Sequence, residues 1–122
     1  MTDQSPASAG RASAFPPVPT TKVLAIARLL APLTPEQRKT ILSEEVPDTV
    51  RLFLAGKIDQ WWSQQNGNGP VFLMNVTSVA EALALLSALP LGQNGLMEFD
   101  FLELGPLRPL HLLLSQGWAK EG

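Results

Sequence analysis

Apolar and polar positions alternate with two different periods between residues 22 and 104, and the changes of period mark out six elements. Val23–Leu30 (VLAIARLL) is apolar apart from Arg28 and has the length of a strand covered on both faces. Thr34-Pro35-Glu36-Gln37 opens a helix: Thr34 can accept from the Gln37 amide, Gln37 can reach back, and Pro35 falls where no amide donor is needed. That helix is expected to run to about Ala55, stopped by Gly56, with Pro47 kinking it near Ser43–Val46 or dividing it in two. Lys57–Gln65 (KIDQWWSQQ) returns to a period of two, and Asn66-Gly67-Asn68-Gly69 reads as a hairpin turn into the apolar strand Pro70–Val76. Ser78 and Glu81 frame a second capping box, for a helix over about Val79–Ala88 that ends before Leu89-Pro90-Leu91. A loop through Gly92-Gln93-Asn94-Gly95 leads to the last strand, Leu96–Leu104, with Met97, Phe99 and Phe101 on one face and Glu98 and Asp100 on the other.

The order β-α-β-β-α-β predicts an α+β fold of ferredoxin-like type, an antiparallel sheet with both helices on one face. The first and third strands are apolar on both sides, so the second sheet face would expose more apolar surface than a monomer tolerates. Charged residues make up 16% of the chain, against roughly 25% in an average soluble domain, which fits a covered surface. A second copy of the chain, related by a two-fold axis, is the expected cover: a homodimer or a higher homo-oligomer.

The 122 residues provide one domain. Residues 1–20 are Ala/Ser/Pro-rich and read as a disordered tail, residues 21–105 as the folded domain, and residues 106–122 as an apolar tail packing on the domain or its partner. The Pro-rich run Phe15-Pro16-Pro17-Val18-Pro19 has a second reading as a polyproline ligand, less favoured than an extended linker. A formal charge of −2 with nine scattered Lys and Arg offers no basic stripe, so neither nucleic acid nor an anionic membrane is an expected partner. No apolar run approaches membrane-spanning length. The chain has no cysteine and one histidine, His111, which excludes disulfide and thiolate chemistry and argues against a histidine metal site. No metal or other cofactor is expected, and a reducing cytoplasm is the compatible compartment.

Several of these features occur in register over about 70 residues. They are Glu44-Glu45 in the first helix, Gly56 at its end, Trp62 on the second strand, Val71-Phe72 with Asn75-Val76 on the third, Ser78-Val79, and Leu89-Pro90-Leu91. In these the chain resembles the muconolactone isomerase family, whose members pair ferredoxin-like sheets into a dimeric α/β barrel. The resemblance implies an isomerase that shifts a double bond by moving a proton across a small unsaturated lactone or related acid. It places the family's helix glutamate on Glu45, as general base and acid. Such chemistry needs a carboxylate in an apolar cleft, where desolvation raises its pKa, and donors for the developing enolate charge. Gln60, Trp62 and Gln64 share a strand face and are the expected substrate-binding donors, provided that face lies opposite the first helix. Two positions depart from the family: Gln60 stands where it has histidine, and Ile58 where it has an aromatic residue. Glutamine donates a hydrogen bond but exchanges no proton near neutrality.

Each candidate has a plainer reading. Glu44 and Glu45 have one as solvated helix charges, and Glu98 with Asp100 as a wet strand face. Trp61 and Trp62 point to opposite faces, one toward pocket or core and the other toward an interface. The alternative function is a noncatalytic small-ligand-binding or assembly protein on the same dimeric barrel.

Overall fold

The computed structural model describes residues 17–107, and Thr20–Gly105 forms one compact unit to which every element below belongs. Most of the two expected tails, including His111, lies outside the described residues. The elements in order are β1 (Lys22–Leu29), α1 (Pro35–Leu54), β2 (Ile58–Ser63), β3 (Pro70–Met74), α2 (Val79–Ser87), α3 (Pro90–Gln93) and β4 (Met97–Leu104). The four strands form one sheet in the order β2-β3-β1-β4, and every neighbouring pair is antiparallel. This is an α+β architecture compatible with a ferredoxin-like arrangement.

Alternation along β1 decides which face carries the helices. Val23, Ala25 and Ala27 are at most 1% exposed, and through the registers Val23↔Met74 and Ala25↔Phe72 they continue onto β3. Ala82, Leu86 and Leu89 pack on that layer from α2 and the segment after it, with Leu52 of α1. A second cluster forms around Ala27, Leu91 and Met97, joined by Ile41 and Leu42 of α1. Phe72, Phe99 and Phe101 make a row of stacked rings across the same face, with centroids 6.0 and 6.3 Å apart.

The cap chemistry explains where the helices begin. Thr34 accepts from the Gln37 amide at 3.1 Å, and the Gln37 side chain accepts from the Thr34 amide at 2.9 Å, completing the capping box. Only half of the second box forms: Ser78 accepts from the Glu81 amide, while the Glu81 carboxylate pairs with Lys57 at 3.5 Å. Of the two outcomes expected of Pro47, a kink or a division of the helix, the division does not occur: Pro35–Leu54 is one helix. Pro47 lies on its exposed side, where water can serve the carbonyl deprived of its usual donor.

A third helix was not expected. Leu89-Pro90-Leu91-Gly92 read as the approach to a loop, whereas Pro90–Gln93 forms a short helical turn with Pro90 at its first position. It fits closely against the end of α2. A Cβ on Gly92 would lie 2.9 Å from the Leu86 carbonyl oxygen and 3.1 Å from the Ser87 Cα, both backbone atoms, so glycine is required there.

Candidate active site

Glu45 is the one buried charged residue among those described, with 8% of its surface exposed. It sits in the middle of α1, on the side that carries Ile41 and Leu42 toward the sheet. Its Oε1 accepts a 2.8 Å hydrogen bond from the backbone amide of Leu91, the second residue of α3. That amide has no helical partner, and the residue before the helix is Leu89, whose side chain cannot cap it. Glu45 therefore acts as a cap delivered from another helix. The Thr49 hydroxyl also approaches the Glu45 carboxyl, but its single proton is donated to the Glu45 backbone carbonyl at 2.8 Å.

Burial pushes the Glu45 pKa above its usual 4.5, and the nearby Asp48 charge adds to the rise; the Leu91 amide and Thr49 pull the other way. Desolvation prevails because one neutral amide cannot replace the hydration of a carboxylate.

Glu45 lines a cavity of about 650 Å³ between α1 and the sheet. Leu29, Leu42, Val46, Phe72, Leu91 and Met97 give it apolar walls, while Thr49 and Ser63 contribute hydroxyls. Trp61 closes one side and is itself held by stacking on Phe53 of α1, with ring centroids 4.5 Å apart and planes 18° from parallel. The size suits a small organic molecule.

The expected donors fall differently. A bulge between Ile58 and Gln60 changes the parity of β2: Ile58 pairs with Met74, yet Gln60 pairs with Leu73, Trp61 with Phe72 and Trp62 with Val71. Trp61 thus shares the helix-covered face, and Gln60 and Trp62 belong to the opposite one. The condition attached to Gln60, Trp62 and Gln64, that their face lie opposite α1, is therefore not met. Gln60 is exposed. Gln64 follows the end of β2 and donates its side-chain amide to the carbonyls of Ala27 (2.8 Å) and Gly69 (3.2 Å), tying the hairpin to β1. Of the three, Trp62 alone borders the cavity, from the edge strand.

Thr49 and the Leu91 amide escaped the sequence reading as site groups, while Trp61 was weighed there with Trp62 as one of two tryptophans facing pocket or interface. The Leu-Pro-Leu motif marked the position of Leu91 without indicating that its amide would hold Glu45. Glu98 and Asp100, read as a wet strand face, lie on the face away from the helices and both bind Arg28, at 3.1 and 3.0 Å. No group of three or more potential metal ligands occurs among the described residues, and no described helix is long and apolar enough to cross a membrane. No model of a known protein family matches the chain, and no curated protein sequence matches it.

Proposed function

We propose that this protein is a cofactor-independent isomerase of small unsaturated lactones or related acids, with Glu45 as the proton-transfer group. The observation that carries the proposal is a nine-tenths buried carboxylate on an apolar cavity of ligand size, fixed through one oxygen by the Leu91 amide. The Glu45 carboxylate takes a proton from the carbon between the lactone carbonyl and the ring double bond. The electron pair spreads over the carbonyl and the alkene as a dienolate. The same carboxyl group returns a proton at the far carbon, which shifts the double bond and regenerates the carboxylate. A raised pKa suits both steps, since it strengthens the base and keeps its conjugate acid available.

The ferredoxin-like assignment and the homodimer belong to the same proposal. Leu24, Ile26, Val71 and Leu73 form the centre of the helix-free sheet face, flanked by Trp62 and Leu102, which are 48% and 54% exposed. A second copy laid sheet to sheet would cover them, giving the dimeric α/β barrel that the family resemblance implies.

The noncatalytic reading has its own support. The hydrogen bond from Leu91 gives Glu45 a structural duty that needs no substrate, and the enolate donors expected from Gln60 and Gln64 do not reach the cavity. Turnover separates the two readings. A panel of butenolides is incubated with the wild-type protein and with Glu45→Gln in D2O, and the double-bond shift is followed by NMR. The isomerase reading expects a loss of about a hundredfold or more in the variant. Equal rates in both proteins defeat it.

A further inference from the structure

The bulge that takes Gln60 off the helix-covered face of β2 brings two other residues onto it. Beyond Asp59 the strand keeps its alternation: Trp61 pairs with Phe72 and Ser63 with Pro70, so both fall on the side of the sheet that α1 covers. Both line the cavity that Glu45 reaches from α1. The helix wall thus carries a carboxylate, and the strand wall a hydroxyl beside an indole ring. The stack of Trp61 on Phe53 ties that strand wall to α1 next to Ser63. Ser63 is exposed at the end of β2, where a ligand entering the cavity would meet its O–H. The Thr49 hydroxyl is placed otherwise, since its proton goes to the Glu45 backbone carbonyl and is not available to a ligand.

A lactone isomerase needs a base at carbon and a donor at the carbonyl oxygen, where the charge of the dienolate collects. The proton leaves from the face of the lactone ring, whereas the carbonyl oxygen projects in its plane. Base and donor therefore approach from different directions, and two facing walls supply them better than one. We propose that Ser63 is the donor that orients the ligand carbonyl and takes up the developing enolate charge, the part expected of Gln60. Its O–H stays covalently intact and only hydrogen-bonds the carbonyl oxygen, so the proton is moved by Glu45 alone. This rests on the isomerase reading above and gives it the donor it lacked.

Infrared spectra of a butenolide isotopically labelled at its carbonyl carbon, bound to the full-length protein, read this hydrogen bond directly, and NMR follows turnover of the same compound. In the wild type the carbonyl stretch should lie below its frequency in an apolar solvent. Ser63→Ala should return it toward that frequency and lower kcat by about tenfold or more, with a smaller change in KM. Ser63→Thr keeps an O–H and should restore both. Because Ser63 is exposed, both variants should keep the fold. A carbonyl stretch that Ser63→Ala leaves unchanged overturns the proposal, as does an unchanged kcat or a Ser63→Thr variant that behaves like Ser63→Ala. The two readings fail separately. A stretch that depends on Ser63, without turnover by the wild type, defeats the isomerase and sustains Ser63 as the ligand's donor. Turnover by the wild type and equally by Ser63→Ala does the reverse. Binding of no butenolide defeats both.

Discussion

At the scale of single residues, the cap that Glu45 provides and the proton transfer proposed for it make different demands on its side chain. As a cap it needs only an acceptor for the Leu91 amide; as a base it needs a charge. Glu45→Gln keeps an amide oxygen for the cap, so its stability should change by about 1 kcal/mol or less, whereas Glu45→Ala leaves a buried amide unpaired and should cost about 1–3 kcal/mol or more. Urea denaturation of the two variants measures this, and equal losses would remove the cap from the account. The protonation state leaves a second mark. Because the folded pKa lies above 4.5, the folded chain holds more protons than the unfolded one between that value and the raised pKa. The stability of the wild type relative to Glu45→Gln should therefore fall as pH rises through that window and level off above it. A flat difference would mean that burial does not raise the pKa.

Among the elements, α3 has the greatest influence for its length. It is four residues long, too short to be stable alone, and is held from two sides, by Glu45 of α1 and by the close contact of Gly92 with the last turn of α2. Gly92→Ala should force α3 away from the Leu86 carbonyl, cost about 1–3 kcal/mol by the overpacking rule, and loosen the Leu91 amide from Glu45. Slower amide exchange at Leu91 in the wild type than in this variant is the expected hydrogen-exchange result. The same element shows where sequence reasoning stops. The strands and the two longer helices carry periodic patterns and side-chain caps, and their observed bounds fall within about two residues of those expected, a usual margin. The turn at Pro90–Gln93 is too short to show a period, and one of its two supports, Glu45, lies 46 positions from Leu91. The β2 bulge was hidden for a related reason. Alternation within Lys57–Gln65 is a property of one strand, but a bulge is a property of its pairing with β3. Glu45 was singled out through the family resemblance, and its place on the sheet-facing side of α1 is set by local helix geometry; the strand residues meant to face it depend on the bulge. Pro47 does not divide α1, since an exposed proline can be carried by a helix otherwise anchored along its length.

For the molecule as a whole, the sheet has one face committed to helices and the cavity, and another that is apolar at its centre with charged residues beside it. Arg28 is bound by Glu98 and Asp100, and Lys22 is paired with Asp59 and hydrogen-bonded to Asn75, all next to Leu24, Ile26, Val71 and Leu73. An apolar centre with a polar rim is the usual anatomy of an interface. Leu102 is the best point at which to test the proposed pairing, because its 54% exposure makes a change there cheap for the fold of one chain. Leu102→Glu should retain the folded structure and move the protein from twice 13.2 kDa to 13.2 kDa in light scattering, since pairing would bury an unmatched charge. A wild type that is monomeric at every concentration would contradict the paired sheet while leaving the cavity within each chain as it is. The central claim is the chemistry at Glu45, and proton exchange on the substrate tests it most directly. In D2O, the wild-type protein should shift the double bond of a neutral butenolide and place deuterium at the carbon that receives the proton, with Glu45→Gln slower by about a hundredfold or more. Isomerisation at the same rate in both proteins, or no isomerisation by the wild type at all, would contradict it.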